Sequence, residues 1–277
     1  MSLIGKTHVK NTSYRRMAKI FLFTMSALYG VSALINFIAD PFWAFQQSNI
    51  FNRVQLPFNE REQKTNYLTY HGRSFDSILI GNSRTTLINQ NDFRNMKTFN
   101  YAVSAIAPSE FPGYIAYALN RSGGRVNTVY ISCSFASANC RIEQGVPKPP
   151  SYYIGMAMEP LHRLKMLTNL NLIPYSYRVI KENITQPKSG IHYDRNNIAS
   201  MIPFERTEQE RIFRKDLDNY LNLYSNAFVY DSKHFSHNML EIIKSNPELK
   251  FIAFSPPVTS EMHCLIKKTG LEKQYEQ

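Results

Sequence analysis

Nineteen consecutive residues, Ile20 to Ile38 (IFLFTMSALYGVSALINFI), contain Asn36 as their only strongly polar side chain, and Asp40 and Pro41 follow at once. A helix of that length crosses a bilayer core of about 30 Å, whereas a buried helix of a soluble protein carries a polar face that recurs with the helical period. This run shows no such face. Lys6, Lys10, Arg15, Arg16 and Lys19 precede it with no acid among them, and a positive flank stays on the cytoplasmic side. The sequence therefore predicts a basic cytoplasmic leader over 1–19, a transmembrane anchor over 20–38 and export of everything after Asp40. That describes a single-pass chain of the cell inner membrane with a periplasmic or otherwise extracytoplasmic globular part. A cleaved signal peptide is the competing reading. Its apolar core is normally shorter, and a cut after Ala39 would leave bulky Phe37 where a small residue is wanted, so the uncleaved anchor is preferred.

The formal net charge of +11 invites a nucleic-acid reading, but five of the excess charges sit in the leader and the rest of the chain carries only +6. No Gly-Arg tract or zinc spacing accompanies that diffuse surplus, so nucleic acid is set aside as a partner. The cysteines Cys133, Cys140 and Cys264 are too few for a disulfide framework, and no C-x-x-C exists to hold a metal. Cys133 and Cys140 are either a pair formed in an oxidising compartment or buried free thiols. No cofactor motif is present.

Residues 39–74, rich in Asn, Gln and aromatics without a period, read as a neck. A domain over 75–277 follows. Phe75–Gly81 (FDSILIG), Thr98–Val103 (TFNYAV), Arg125–Phe135 (RVNTVYISCSF) and Lys250–Ser255 (KFIAFS) are short apolar runs of strand character. Helical patterns separate them: Pro108–Arg121, a segment opening at Thr207 with Glu210 as a capping box, and one carrying Met239, Leu240, Ile242 and Ile243. Strands alternating with such helices predict an α/β fold with a mostly parallel sheet. Residues 136–205 interrupt the rhythm with a Pro-containing loop at Val146–Pro150 and helical patches at Leu161–Leu170 and Tyr175–Glu182. An insertion of this size is a natural lid or partner surface.

The first strand delivers Gly81-Asn82-Ser83-Arg84 to the carboxyl end of the sheet, where open α/β folds bind ligands. Gly81 permits a sharp turn, and Ser83 either projects a nucleophilic hydroxyl with its own N–H free for an oxyanion or caps a helix. Together with Asp40-Pro41, Arg61-Glu62-Gln63-Lys64, Phe99-Asn100-Tyr101-Ala102 and Phe254-Ser255-Pro256-Pro257, this block resembles the bacterial membrane-anchored SGNH (GDSL) hydrolase-like proteins, relatives of envelope polysaccharide acyl-transfer proteins. The resemblance implies a flavodoxin-like three-layer sandwich with Ser83 as nucleophile. It also implies oxyanion donors near Ala105, where the family's glycine is absent, and after the third strand. There Ser132-Cys133-Ser134-Phe135 stands in place of the family's Gly-Leu-Asp-Phe, so Ser134 would offer a hydroxyl and Asn139 an amide.

A serine needs an adjacent His oriented by an acid, which the family supplies as Asp-x-x-His after its last strand. Asp231-Ser232-Lys233-His234 is a literal match and would complete a triad with Ser83. It precedes the fourth strand, which favours instead a polar helix start with surface histidines. His71, His162, His192 and His263 are further candidate bases, each better read as a surface or neck residue, and His192-Tyr193-Asp194 is better read as a loop. After Pro257 neither a fifth strand nor a second D-x-x-H follows. Two functions are thus expected to compete: an esterase or acyltransferase acting on cell-envelope glycans, and a non-catalytic domain of the same fold that binds glycan or an assembly partner.

Overall fold

The computed structural model describes residues 4–72, 74–141 and 148–276. In chain order it has α1 (Ile4–Ala39), α2 (Glu60–Tyr70), β1 (Ser77–Ile80), α3 (Ser83–Thr86), β2 (Thr98–Asn100), α4 (Phe111–Ser122) and β3 (Thr128–Ser132). Then come α5 (Pro150–Met158), α6 (His162–Thr168), α7 (Ile173–Ile184), β4 (Gly190–Tyr193) and β5 (Ala199–Ile202). The chain continues through α8 (Arg206–Asn222), α9 (Ser232–Ser245), β6 (Lys250–Phe254), α10 (Ser260–Lys268) and α11 (Glu272–Glu276).

The fold is α/β, with a four-stranded sheet in the order β2-β1-β3-β6 and every pairing parallel. β1 is buried along its whole length, as expected of a strand covered on both faces. Alternate side chains go to opposite faces. Ile78 and Ile80 join Val129 and Ile131 in a core against Tyr67 of α2, Ile115 of α4 and Ile242 of α9. On the other face Tyr130, in register with Leu79, meets Phe93 and the Met96 sulfur.

α1 is the one described helix long and apolar enough to cross a membrane, over Ser13–Ala39. Large apolar side chains in its first half stand open, Phe21 at 64% and Phe23 at 77% exposure, which is not how a core helix sits. One face of its last turns is covered, with Ser32, Asn36 and Ala39 buried, while Leu34 and Phe37 stay 59 and 41% exposed. The neck is built into the domain. Asp40, at φ 44, turns the chain, its carboxylate accepts from the Ala44 and Phe45 N–H groups at 2.8 and 3.1 Å, and Arg195 pairs with it. Trp43 is then buried with Tyr67 and Tyr193 in the main core.

Two local expectations are corrected. The capping box at Thr207 does not form, because α8 starts one residue earlier and Glu210 instead faces Arg206 at 3.3 Å. His192 lies on a strand, not a loop: β4 pairs antiparallel with β5, and Gln55 exchanges backbone hydrogen bonds with Tyr193. The described part of the insertion beyond Ala136 does not cover Ser83; α6 and α7 pack on the end of α1, and α5 packs on α2. Part of the Val146–Pro150 loop lies outside the described residues. All three cysteines are free, so Cys133 and Cys140 are not paired.

Candidate functional site

The sheet order places β2 on one side of β1 and β3 on the other, so successive connections leave β1 in opposite directions. A crevice at the carboxyl ends of strands flanking such a switch is the usual ligand site of an open α/β sheet. Here Asn82, Ser83 and Arg84 line it after β1, Ser134, Phe135 and Ala136 after β3, and Ser255 and Pro256 after β6. Gly81 is required by close approach: a Cβ there would lie 2.5 Å from both the Ser132 Cβ and the Thr85 Oγ1.

Asn82, not Ser83, caps α3. Its Oδ1 accepts from the Arg84 N–H at 3.1 Å, while its Nδ2 donates to the Ser134 Oγ at 2.8 Å. Ser134 in turn lies 3.0 Å from the Ser137 Oγ. Ser83 is therefore left at the first helical position, exposed, and among the described residues its N–H has no hydrogen-bond partner. That is one of the orphan donors every helix start leaves.

The outer wall is aromatic and aliphatic: Tyr220, Tyr224, Met262, Ile266 and Tyr275. Tyr224 sits in a π-helical turn over Leu223–Ala227. Burial pushes its hydroxyl up to about 12, with Tyr220 reinforcing and the Arg84 charge opposing. These side chains reduce the enclosed volume to about 40 Å³, room for a few waters but not for a sugar ester. A ligand of that size requires the tyrosine wall to move.

No described histidine side chain lines the crevice. His263 is exposed on α10, its ring 5.5 Å from that of Tyr275. His71 and His162 stack on Tyr67 and Tyr70, and the His192 Nε2 is 3.8 Å from the Glu182 carboxylate. Asp231 is also elsewhere. Its carboxylate accepts from the Lys233 N–H at 3.0 Å at the start of α9, and its own N–H donates to the Ala138 carbonyl. Asp231 does not line the crevice, and the His234 side chain, which would link it to Ser83 in a triad, lies outside the described residues. Asn139 is spent on structure, its Oδ1 accepting from the Val229 and Arg141 N–H groups at 3.0 and 3.2 Å. Ala105 adopts φ 50, the left-handed region that favours glycine, but it does not line the crevice. Among the described residues no cluster of His, Cys, Asp and Glu suits a metal.

The groups that hold the loop after β2 have no local sequence signal. Arg61 grips Glu110 with two bonds, Nε to Oε1 at 2.7 Å and Nη2 to Oε2 at 2.8 Å, and also donates to the Ser104 and Ala105 carbonyls at 3.1 and 2.9 Å. Glu60 accepts from the Ser104 N–H at 2.6 Å and from the Tyr193 hydroxyl. Fully buried Lys64 donates to the Asn100 carbonyl at 3.3 Å; burial pushes its amine down to about 8, against the opposing charge of Glu60. Glu60, Arg61 and Lys64 thus form a positioning unit beneath the loop.

Glu62 in the same helix gives a pH test. Burial pushes its carboxyl up from 4.5 to about 7. Because the folded value lies above the unfolded one, the contribution to stability is fully present below pH 4.5 and is lost as pH rises through 7. Glu62→Gln should flatten this slope and gain about 2 kcal/mol over the parent at pH 8, discounting for the wet edge of the site. Urea melts of both proteins from pH 4 to 8 check it, and parallel curves would refute it.

Comparison with protein families, with characterised proteins and with solved structures finds no match to this chain.

Proposed function

We propose that this is an inner-membrane protein whose N-terminal helix spans the bilayer, with its α/β domain on the extracytoplasmic side. The domain is of the flavodoxin-like, SGNH type, and its Ser83 crevice handles acyl groups of cell-envelope glycans. The observation that carries this reading is the division of labour at the end of β1. Asn82 does the capping, so the Ser83 hydroxyl and N–H both remain available beside the Ser134 hydroxyl. In the reaction the Ser83 Oγ attacks the acyl carbonyl while a base takes its proton. The glycan oxygen leaves with a proton, and water or an acceptor hydroxyl then takes the acyl group from the serine ester. The Ser83 N–H and the Ser134 hydroxyl are the donors for the transient oxyanion. Arg84 would hold an anionic portion of the substrate.

Non-catalytic binding at the same crevice is the second reading. It is favoured by the lack of any described histidine in the walls. The two separate in one experiment. The full chain in native membranes, treated with a fluorophosphonate probe, is expected to label slowly and at Ser83, with labelling lost in Ser83→Ala. No Ser83-dependent labelling would remove the enzymatic reading and leave the binding one. Rapid stoichiometric labelling would demonstrate a base within reach of the hydroxyl, about 2.6–3.2 Å. Orientation has its own check: a reporter active only in the cytoplasm, fused at the C-terminus, should stay silent, and strong activity would reverse the topology.

A further inference from the structure

We infer that the insertion is itself a membrane-contacting element: α6 and the turn that follows it sit in the outer leaflet of the bilayer beside α1. The inference rests on the reading of α1 as a transmembrane anchor and adds where the domain meets lipid.

Helix length sets the depth. Lys19 is the last cation before the apolar run, and among the described side chains of α1 Ser32 is the first that is buried. Ile20–Val31 covers about 18 Å at 1.5 Å per residue, well short of the roughly 30 Å that the hydrocarbon core demands. The missing ~12 Å is the length of Ser32–Ala39. Asn36 in that stretch bonds Met166 and Leu167 of α6 and Ser176 of α7, so these contacts lie within the outer leaflet.

The hydrogen bonds show the same placement. The carbonyls at the end of a helix lack partners within it, and backbone at membrane depth must find partners in protein. The Asn36 Nδ2 donates to the carbonyls of Met166, Leu167 and Asn169 at 3.2, 2.9 and 3.1 Å, and its Oδ1 accepts from the Ser176 hydroxyl at 2.8 Å. The single strongly polar residue of the apolar run thus reaches the end of α6, where the Leu167 carbonyl has it as partner and the Met166 and Asn169 carbonyls share it with the Asn169 and Leu172 N–H groups. Asn36 lies three residues before Ala39, placing these carbonyls about 5 Å below the outer edge of the hydrocarbon.

The opposite side of the same segment is apolar and open. Leu161, Leu164 and Leu170 are 70, 53 and 40% exposed, and Leu164 and Leu170 flank the bonded carbonyls directly. The cations between them turn to protein: the Arg163 guanidinium lies over the Phe45 and Tyr70 rings at 4.8 and 5.5 Å, and the Lys165 ammonium pairs with Glu159, which leaves the leucines as the open side chains of the segment. Open leucines beside a spanning helix fit the apolar side of a phospholipid interface.

The test uses the full chain in phospholipid vesicles, carrying Leu164→Trp or Leu170→Trp over the constant background of buried Trp43. Leu28→Trp reports the anchor and Leu240→Trp a leucine exposed on α9. In vesicles brominated along the upper acyl chains, tryptophan fluorescence at 164, 170 and 28 is expected to be lost and that at 240 retained. Quenching at 28 but not at 164 and 170 would overturn this inference and leave the anchor standing. No quenching at 28 would overturn both. Emission at 164 and 170 that is blue-shifted yet unquenched would show a protein partner, such as a second copy, in place of lipid, and would likewise overturn it.

Discussion

Arg61→Ala is expected to lower stability by about 3–5 kcal/mol, the range for breaking a buried ion pair from one side. The arginine side chain is 10% exposed and the Glu110 carboxylate 1%, so removing the cation strands a charge in the interior. It also removes the donors to the Ser104 and Ala105 carbonyls. Glu110 is not free to relax, because one of its oxygens accepts from the Ala107 N–H at 2.8 Å. Denaturant melts in detergent measure the loss. Arg61→Met combined with Glu110→Leu supplies the control, since replacing both partners by apolar groups removes the stranded charge; most of the lost stability should return. A single mutant within about 1 kcal/mol of the parent would place this pair among the weak surface bridges.

Asn36→Leu is the second large effect. In a lipid-facing helix this exchange is favourable by transfer alone, since leucine partitions into hydrocarbon better than asparagine. The structure reverses that sign. The Leu167 carbonyl and the Ser176 hydroxyl lose their partner together, while the Met166 and Asn169 carbonyls keep only the Asn169 and Leu172 N–H groups at 3.4 and 3.1 Å, and a buried group left unpaired costs about 1–3 kcal/mol. The expected result is a loss of about 3 kcal/mol or more, with faster proteolysis between Met158 and Ile173 than elsewhere in the domain. Far-ultraviolet circular dichroism on heating and timed limited proteolysis read the two parts. A variant as stable and as protease-resistant as the parent would show that Asn36 is an idle polar residue in the span.

The Ser83 turn was legible because its signals are local. A short apolar run ending in Gly-Asn-Ser-Arg specifies strand, tight turn and helix start within eight residues, Leu79 to Thr86. Its capping detail was not, because either Asn82 or Ser83 fits a cap chemically, and the choice depends on Asn82 also reaching Ser134 across from the next strand. The absence of a described histidine from the crevice has the same origin. Spacing along the chain put Asp231 beside His234, whereas the tertiary structure ties the Asp231 N–H to the Ala138 carbonyl and leaves Asp231 out of the crevice walls.

By itself the sequence determined the elements whose period or composition repeats over a few residues: the apolar helix at the N-terminus, the four parallel strands and the helices between them. Each buries a face that is written locally. Only the tertiary structure decided that α2, polar at nearly every position, belongs inside the domain. Its Glu60, Arg61, Gln63 and Lys64 are buried because partners from distant segments satisfy them. It likewise decided that the insertion turns to the end of α1 and not over Ser83. A buried polar group is stable only where its partners converge, and for Asn36 those partners lie 130 or more residues away, a distance over which no local pattern carries information.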